Sequence, residues 1–393
     1  MNTLLSVIIP FRKRSGDRAS IERLDQAIAC FADQPDIELV VFDTGRRSTR
    51  LKLTNGQQDN LRYFHQFQPG VFAPGQVRNA AVAHATGQYI FLFDADLLIS
   101  RKMINQLSGF VRELTVEGPL AFRMYPCLYL SQLYSAHFTA EFFKPVLQQA
   151  LYQEAFESWF RGEVCKVDGI ALASSCLLIN REWFLAMGGF RQAFAGHGYE
   201  DFDLIHRLAM YYPVGKRPAD YPEDVKSQFP GDYRGFRRYF SYYAVPHLFK
   251  GTFLLHQWHP RPLTRQYHRK RKENEARFAE ILKDATATLP EPLPGFQADA
   301  EILAVLKNGV FDSDTVLSDF PCWLREQQTL NGFPVEEYPG LFHFQAGVRK
   351  KNGGFWRKLR KLFLNPVAFF RDSVFVRKSW GKRGRSRGTG LRS

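Results

Sequence analysis

Residues 4–10 (LLSVIIP) form a short apolar, β-branched run closed by proline, the pattern of a strand buried on both faces. In residues 21–31 (IERLDQAIACF) the apolar positions Ile21, Leu24, Ile28 and Phe31 recur at helical spacing, and residues 37–42 (IELVVF) return to a buried-strand pattern. Strand, helix, strand predicts a parallel sheet. The pattern repeats: residues 76–85 (QVRNAAVAHA) read as a helix, Gly87 as its C-terminal cap, and residues 89–93 (YIFLF) as a third strand ending at Asp94. Ligands of open α/β sheets sit beyond the carboxyl ends of the strands, where Asp43 and Asp94 both stand.

Farther on, residues 141–161 are helical and aromatic, and residues 170–179 (IALASSCLLI) read as one more buried strand. A Gly188-Gly189 turn and a glycine-rich loop lead into a helix over residues 199–210. Residues 211–249 carry five prolines and weak periodicity, which predicts an irregular insertion. A charged helix is predicted over 263–282, a linker at 290–295 (PEPLPG) and a helix over 298–306. The expected organisation is a catalytic α/β domain over 1–285, a small helical or irregular region over 286–348 and a basic amphipathic tail over 349–393.

With 45% hydrophobic and 23% charged residues the chain has the ordinary mix of a folded protein. Its net charge of +14 resembles a nucleic-acid signature until it is located. Residues 349–393 hold 15 of the 53 Lys and Arg and one of the 39 acids, so the tail carries the whole excess and the body is neutral. A nucleic-acid partner is therefore not expected. Cys30, Cys127, Cys165, Cys176 and Cys322 form no C-x-x-C pair, which fits a reducing compartment. No run reaches the ~18–20 apolar residues that span a bilayer.

Three clusters carry candidate chemistry. In Asp94-Ala95-Asp96 two carboxylates at a strand end can both turn toward one space, and hard oxygen ligands suit Mg²⁺ or Mn²⁺, which can neutralise a departing diphosphate. In Gly196-His197-Gly198-Tyr199-Glu200-Asp201-Phe202-Asp203 a glycine-rich turn loads three acids onto the first turn of a helix; Asp201 is the candidate general base, with Glu200 beside it. His256 and His259 follow a short apolar run, and one imidazole joining two carboxylates is a reasonable Mn²⁺ set.

The ordered set VIIPFR (7–12), VRNAAVAHATGQYIFLFDADL (77–97), GGFRQAFAGHGYEDFDLIHRL (188–208) and the late histidine resembles the nucleotide-sugar glycosyltransferases of the GT-A fold. In particular it resembles the β1,4-galactosyltransferases and the bacterial chondroitin-polymerase-like enzymes of the family-two clan, over about residues 4–275. The resemblance implies a Rossmann-like, mostly parallel sheet flanked by helices, with a helical C-terminal appendage. It also implies that Pro10, Phe11 and Arg12 line the nucleotide pocket, that Asp43 contacts the base or ribose, and that Arg78 lies near the diphosphate. Asp94, Ala95 and Asp96 would form the donor and metal segment, the second aspartate being the usual direct ligand. Glu200 and Asp201 match the acceptor-loop pair in which the aspartate deprotonates the acceptor hydroxyl, and His256 or His259 the metal histidine. The implied reaction is inverting transfer from a UDP-sugar to a glycan or lipid-linked glycan, with Mn²⁺ or Mg²⁺ as cofactor. The usual tryptophan-glycine turn is replaced here by Ala195-Gly196-His197-Gly198, so the aromatic platform for the acceptor has to come from elsewhere; contacts that set specificity are expected around 170–175 and in 211–249. A sugar nucleotidyltransferase would carry a glycine-rich loop after the first strand, where this chain has PFRKRSG.

Residues 355–379 interleave Phe355, Trp356, Leu359, Leu362, Phe363, Phe369 and Phe370 with basic residues, as in an in-plane membrane helix. Each Lys or Arg near anionic headgroups adds about 1 kcal/mol of attraction. The stretch is similar to tails of bacterial capsule and lipopolysaccharide glycosyltransferases. The expectation is a cytoplasmic protein held on the inner face of the membrane.

Overall fold

The computed structural model describes residues 4–13, 19–138, 145–163, 165–259, 266–283, 291–330, 339–343 and 362–363. The chain divides into two compact units, Met1–Gln345 and Ala346–Ser393. Apart from Leu362 and Phe363, the basic tail lies outside the described residues.

The elements of the first unit run β1 (Leu5–Phe11), α1 (Ser20–Ala29), β2 (Ile37–Asp43), β3 (Leu61–His65), α2 (Pro74–His84), β4 (Tyr89–Leu92), β5 (Leu97–Ile99), α3 (Arg101–Glu117), β6 (Phe122–Met124), β7 (Cys127–Leu130) and α4 (Gln132–Ser135). They continue with α5 (Pro145–Phe160), β8 (Val167–Ala171), β9 (Leu177–Asn180), α6 (Arg181–Ala186), α7 (Glu200–Tyr211), β10 (Asp224–Val225), α8 (Gly235–Phe249) and β11 (Leu254–His256). Then come α9 (Gln266–Arg269), α10 (Arg271–Lys283), α11 (Ala300–Asn308) and α12 (Phe320–Leu330).

The main sheet has the order β3-β2-β1-β4-β9-β6. Its first four strands are parallel, and β9 and β6 join antiparallel. Every residue of β1 and β2 is buried, which is why their sequences are continuous apolar runs. Chain order reverses between β1 and β4, so a crevice opens at the carboxyl ends of those two strands, just where Arg12 and Asp94 follow. A second sheet, β5-β11-β7-β8, stands beside this opening and supplies one wall of it.

One buried polar network locks the opposite end of the strands. The hydroxyl of Ser6 donates to Glu38, which also accepts from Thr86 N at 2.8 Å and Arg62 Nη1 at 2.6 Å. Burial opposes ionisation of Glu38, but these three donors outweigh it and hold its pKa below the usual value. Gly87 belongs to the same junction: its N–H donates to Ser6 Oγ at 2.8 Å, and a Cβ there would lie 2.6 Å from Ser6 N. The predicted helix cap is thus corrected. Ala85, in extended conformation, ends α2, and Gly87 is glycine because β1 passes too close for a side chain.

Other expectations change as well. Residues 170–179 are two strands in different sheets, β8 and β9, because Ser174 Oγ bonds Tyr125 O at 2.9 Å and the intervening loop turns to the cavity. The supposedly irregular 211–249 contains α8, whose near-continuous burial removes the polar face that periodicity needs. The charged helix is broken at Lys270 into α9 and α10. The described part of the predicted linker packs on α6, with Leu293 N donating to Leu185 O at 2.9 Å. No helix among the described residues is long and apolar enough to cross a membrane.

Candidate active site

A cavity of about 510 Å³ opens at the carboxyl ends of β1 and β4. Pro10, Phe11 and Arg12 line it from β1, Arg78 from α2, Asp94, Ala95 and Asp96 from the β4–β5 turn, Glu200 and Asp201 from the start of α7, and His256 and His259 from the second sheet.

Asp96 sits with both histidines. Pairing of β11 with β5 sets His256 opposite Leu97, and Gln257 N donates to Asp96 O at 2.8 Å. Trp258 N donates to Ser135 Oγ at 2.9 Å, holding the turn that returns His259. His256 Nε2 lies 3.6 Å from Asp96 Oδ1 and His259 Nε2 3.2 Å from Asp96 Oδ2. One donor atom from each of the three residues lies within 4.8 Å of the others, and all three side chains are buried. Two imidazole nitrogens and a carboxylate make a donor set suited to a divalent transition-metal ion. The sequence left open which histidine was the ligand; the structure brings both to Asp96.

Asp94 is turned elsewhere. Its Oδ1 accepts from Arg78 Nη2 at 2.5 Å and its Oδ2 from Ser175 Oγ at 3.1 Å. It is not part of the Asp96–His256–His259 cluster.

Arg78 is the electrostatic hub. Its buried guanidinium also lies 3.9 Å from Glu200 Oε1 and over the Phe190 ring at 5.2 Å. Burial opposes its charge, yet Asp94, Glu200 and Asp201 together raise its pKa. Three carboxyls around one guanidinium leave a surplus of negative charge. Burial and then Asp201 push Glu200 up to about 8, against the pull of Arg78. Burial likewise raises Asp201, with Arg78 pulling it down. Glu200 Oε2 and Arg78 Nε and Nη1 have no hydrogen-bond partner among the described residues. Such orphaned polar atoms beside a cavity are what a polar ligand satisfies.

The third acid of the motif has a different duty. Asp203 is fully buried and accepts from Arg207 Nε and Nη2 at 3.1 and 2.9 Å, while Arg207 also donates to Met187 O at 2.7 Å and Gly189 O at 2.6 Å. This pair ties α7 to the glycine turn before it. Asn79 pins the next residue, accepting from Phe190 N at 2.9 Å and donating to Phe190 O at 2.8 Å. Tyr199, just before Glu200, is held at φ 74°, strained backbone for a bulky residue. Gly196 has φ 80°, and a Cβ there would meet Lys270 Cβ at 2.7 Å, so α9 and α10 can close over the loop.

Asp43, expected against the donor, lies off the cavity wall with its carboxylate fully used. It accepts from Gly45 N at 2.8 Å, Thr49 N and Oγ1 at 3.1 Å each and Tyr63 OH at 2.6 Å. Arg12 donates to Thr44 Oγ1 at 3.0 Å and to the carbonyls of Gln68 and Gly70 at 2.9 Å, so it clamps the loop that supplies Phe72 to the cavity. Sequence reasoning missed Asn79 and the covering residues Gln266, Tyr267 and His268. The R-N step in α2 was the only signal for the first, and nothing local marks the others.

Residues 6–284 match the family model described as glycosyltransferase like family 2. No curated protein matches the chain. Among solved structures, it is similar to TarS of S. aureus at 14% identity and TM-score 0.32, over 52% of this chain and 33% of that one. A TarS 1–349 complex with UDP gives 13% and 0.33, over 53% and 55%. The mannosyltransferase PcManGT from Pyrobaculum calidifontis, in complex with GDP-Man and Mn²⁺, gives 14% and 0.37, over 83% and 73%. These structural likenesses are too low to argue from, and the chain spans only a third of full-length TarS. The family match covers well over half of this chain, and with it the crevice, the acids and the histidines described above: the chain belongs to glycosyltransferase-like family 2.

Proposed function

We propose that the chain is a metal-dependent, inverting transferase that moves a sugar of the Gal, GalNAc or Glc type from a UDP-sugar to a glycan or lipid-linked glycan. The setting we propose is synthesis of a bacterial surface polysaccharide, capsule or lipopolysaccharide. The observation that carries the reading is that Asp96, His256 and His259 line the same cavity as Asp201 and Glu200.

Asp201 is the base. Its raised pKa gives it an appetite for a proton that an ordinary aspartate lacks, and it takes that proton from the acceptor hydroxyl as the oxygen attacks the anomeric carbon. Attack opposite the leaving group turns an α-linked donor into a β-glycoside. Arg78 holds Asp94 and Glu200 in place and sets the charge of the base wall. Pro10, Phe11 and Arg12 frame the nucleotide. Asp96, His256 and His259 would hold a divalent cation, which when bound supplies electrostatic stabilisation to the departing diphosphate. Positioning and charge supply most of the rate. The basic stretch 355–379 supports attachment to an anionic membrane surface, on the cytoplasmic side.

The test is nucleotide release from a panel of UDP-sugars with Mn²⁺ or Mg²⁺, comparing native protein with Asp96→Ala, His259→Ala and Asp201→Asn. One donor should turn over with Mn²⁺ favoured, stop with a chelator, and fall at least about a hundredfold in each variant. Turnover that survives chelation and Asp96→Ala would refute the metal assignment.

A further inference from the structure

A second, smaller cavity of about 120 Å³ adjoins the first, and the two share Tyr129, Ala173, His197, Gly198 and Asp201. Asp201 therefore stands on the wall between them. The metal triad, Arg78 and the β1 end belong to the first cavity alone. A nucleotide-sugar seated there leaves the second cavity as the approach to Asp201 for the group that gives up a proton.

The lining of this second cavity is unlike that of the first. Lys226, Arg237 and Arg271 face it, and among the described residues Asp201 is the one acid that lines it. Arg237 is answered from behind by Asp224, to which it donates twice and which Tyr199 OH also reaches at 2.6 Å. With three donors on it, that carboxylate is used. Arg271 has no ion pair among the described residues; its guanidinium lies over the Tyr199 ring at 5.8 Å, with Nη1 3.4 Å from His197 Nε2. Its position is fixed, because Asn274 on the next turn donates to Ala195 O at 3.0 Å and Gly198 O at 2.9 Å. Tyr129 and Tyr233 add aromatic surface to a site whose loop lacks a tryptophan.

We infer that the second cavity is the acceptor subsite and that the acceptor carries an anionic group, a sugar carboxylate or a phosphate, held by Arg271 and Lys226 beside the hydroxyl that Asp201 deprotonates. The inference rests on the assignment of Asp201 as base. A guanidinium and an ammonium facing one small cavity recognise an anion through charge-assisted hydrogen bonds, which a neutral sugar offers no charge to complete.

The experiment uses the full chain with Mn²⁺ and the donor found by the panel, and three acceptors of equal length: a uronate-terminated oligosaccharide, its carboxyl-reduced neutral twin, and a phosphate-bearing counterpart. At least one anionic acceptor should exceed the neutral twin by about tenfold in kcat/KM, chiefly through KM, and the gap should close in Arg271→Gln and narrow in Lys226→Gln. Because the ratio is taken within each variant, a general loss of activity cancels. Which anion wins separates carboxylate from phosphate. Donor hydrolysis with no preference for either anion, or a preference that persists in both variants, overturns the inference and leaves the transferase reading intact. Absence of donor turnover under every condition overturns both.

Discussion

Glu200 gives the sharpest test of the charge arrangement around Arg78. In the folded protein its pKa is pushed from the ordinary carboxyl value of 4.5 up to about 8, by burial first and Asp201 second. Between those two pH values the native state holds a proton that the unfolded chain has released. Stability therefore falls as pH rises from about 4.5 to about 8 and is level above that. Glu200→Gln removes the ionisable group at nearly constant volume, so the variant escapes this decline.

The full displacement corresponds to about 5 kcal/mol at 1.36 kcal/mol per pKa unit. The proton is contested by the adjacent Asp201, so about 2–3 kcal/mol is the expected share of Glu200 alone. The assay is urea unfolding of native protein and Glu200→Gln at pH 5, 7 and 9 in the presence of a chelator. Any fixed cost of the amide is the same at each pH, and pH effects common to both proteins cancel. The difference in unfolding free energy should move in favour of the variant by about 2–3 kcal/mol from pH 5 to pH 9. A difference that stays flat across this range means that Glu200 ionises normally and that the surplus-charge argument is wrong.

Two further predictions concern the scaffold. Asp203→Ala leaves the buried Arg207 guanidinium without its carboxylate and should cost about 3–5 kcal/mol in urea unfolding, whereas a loss under about 1 kcal/mol would show that its carbonyl partners suffice. Gly87→Ala drives a methyl to 2.6 Å from the Ser6 backbone nitrogen and should cost about 1–3 kcal/mol by the same measurement, with cavity residues and donor turnover per folded molecule unaffected.

Three of the four parallel strands were legible because β1, β2 and β4 are buried and say so as apolar runs, whereas β3 is mostly half-buried and gave no such run. The rest was hidden for definite reasons. The Ser174-Ser175 break in an otherwise apolar segment carried the division of β8 from β9, and periodicity does not register a change of sheet. Helix α8 is buried over most of its circumference, so its aromatics show no stripe. At the site, the acids and histidines were visible as local clusters, since a strand end followed by carboxylates and a glycine loop before a helix are short-range patterns. Their partition was not. That Asp94 goes to Arg78 while Asp96 goes to both histidines depends on β11 pairing with β5 and on Ser175 arriving from a distant loop.

That partition explains why one crevice can serve both halves of a transfer. The wall built by Asp96, His256 and His259 is suited to a cation and hence to the departing diphosphate; the wall built by Glu200 and Asp201 is suited to taking up a proton. Left alone, the second wall would neutralise itself by holding protons on both acids, and a base that is already protonated does no work. Arg78 prevents this by favouring the ionised form of each acid within its reach, with Asp94 oriented against it at 2.5 Å. Glu200, pushed up to about 8, takes the surplus proton near neutral pH and so spares Asp201 a second charge beside it. In the proposed mechanism the pair works as a buffer and a base, and the arginine between the strand end and the helix start joins the two walls into one site.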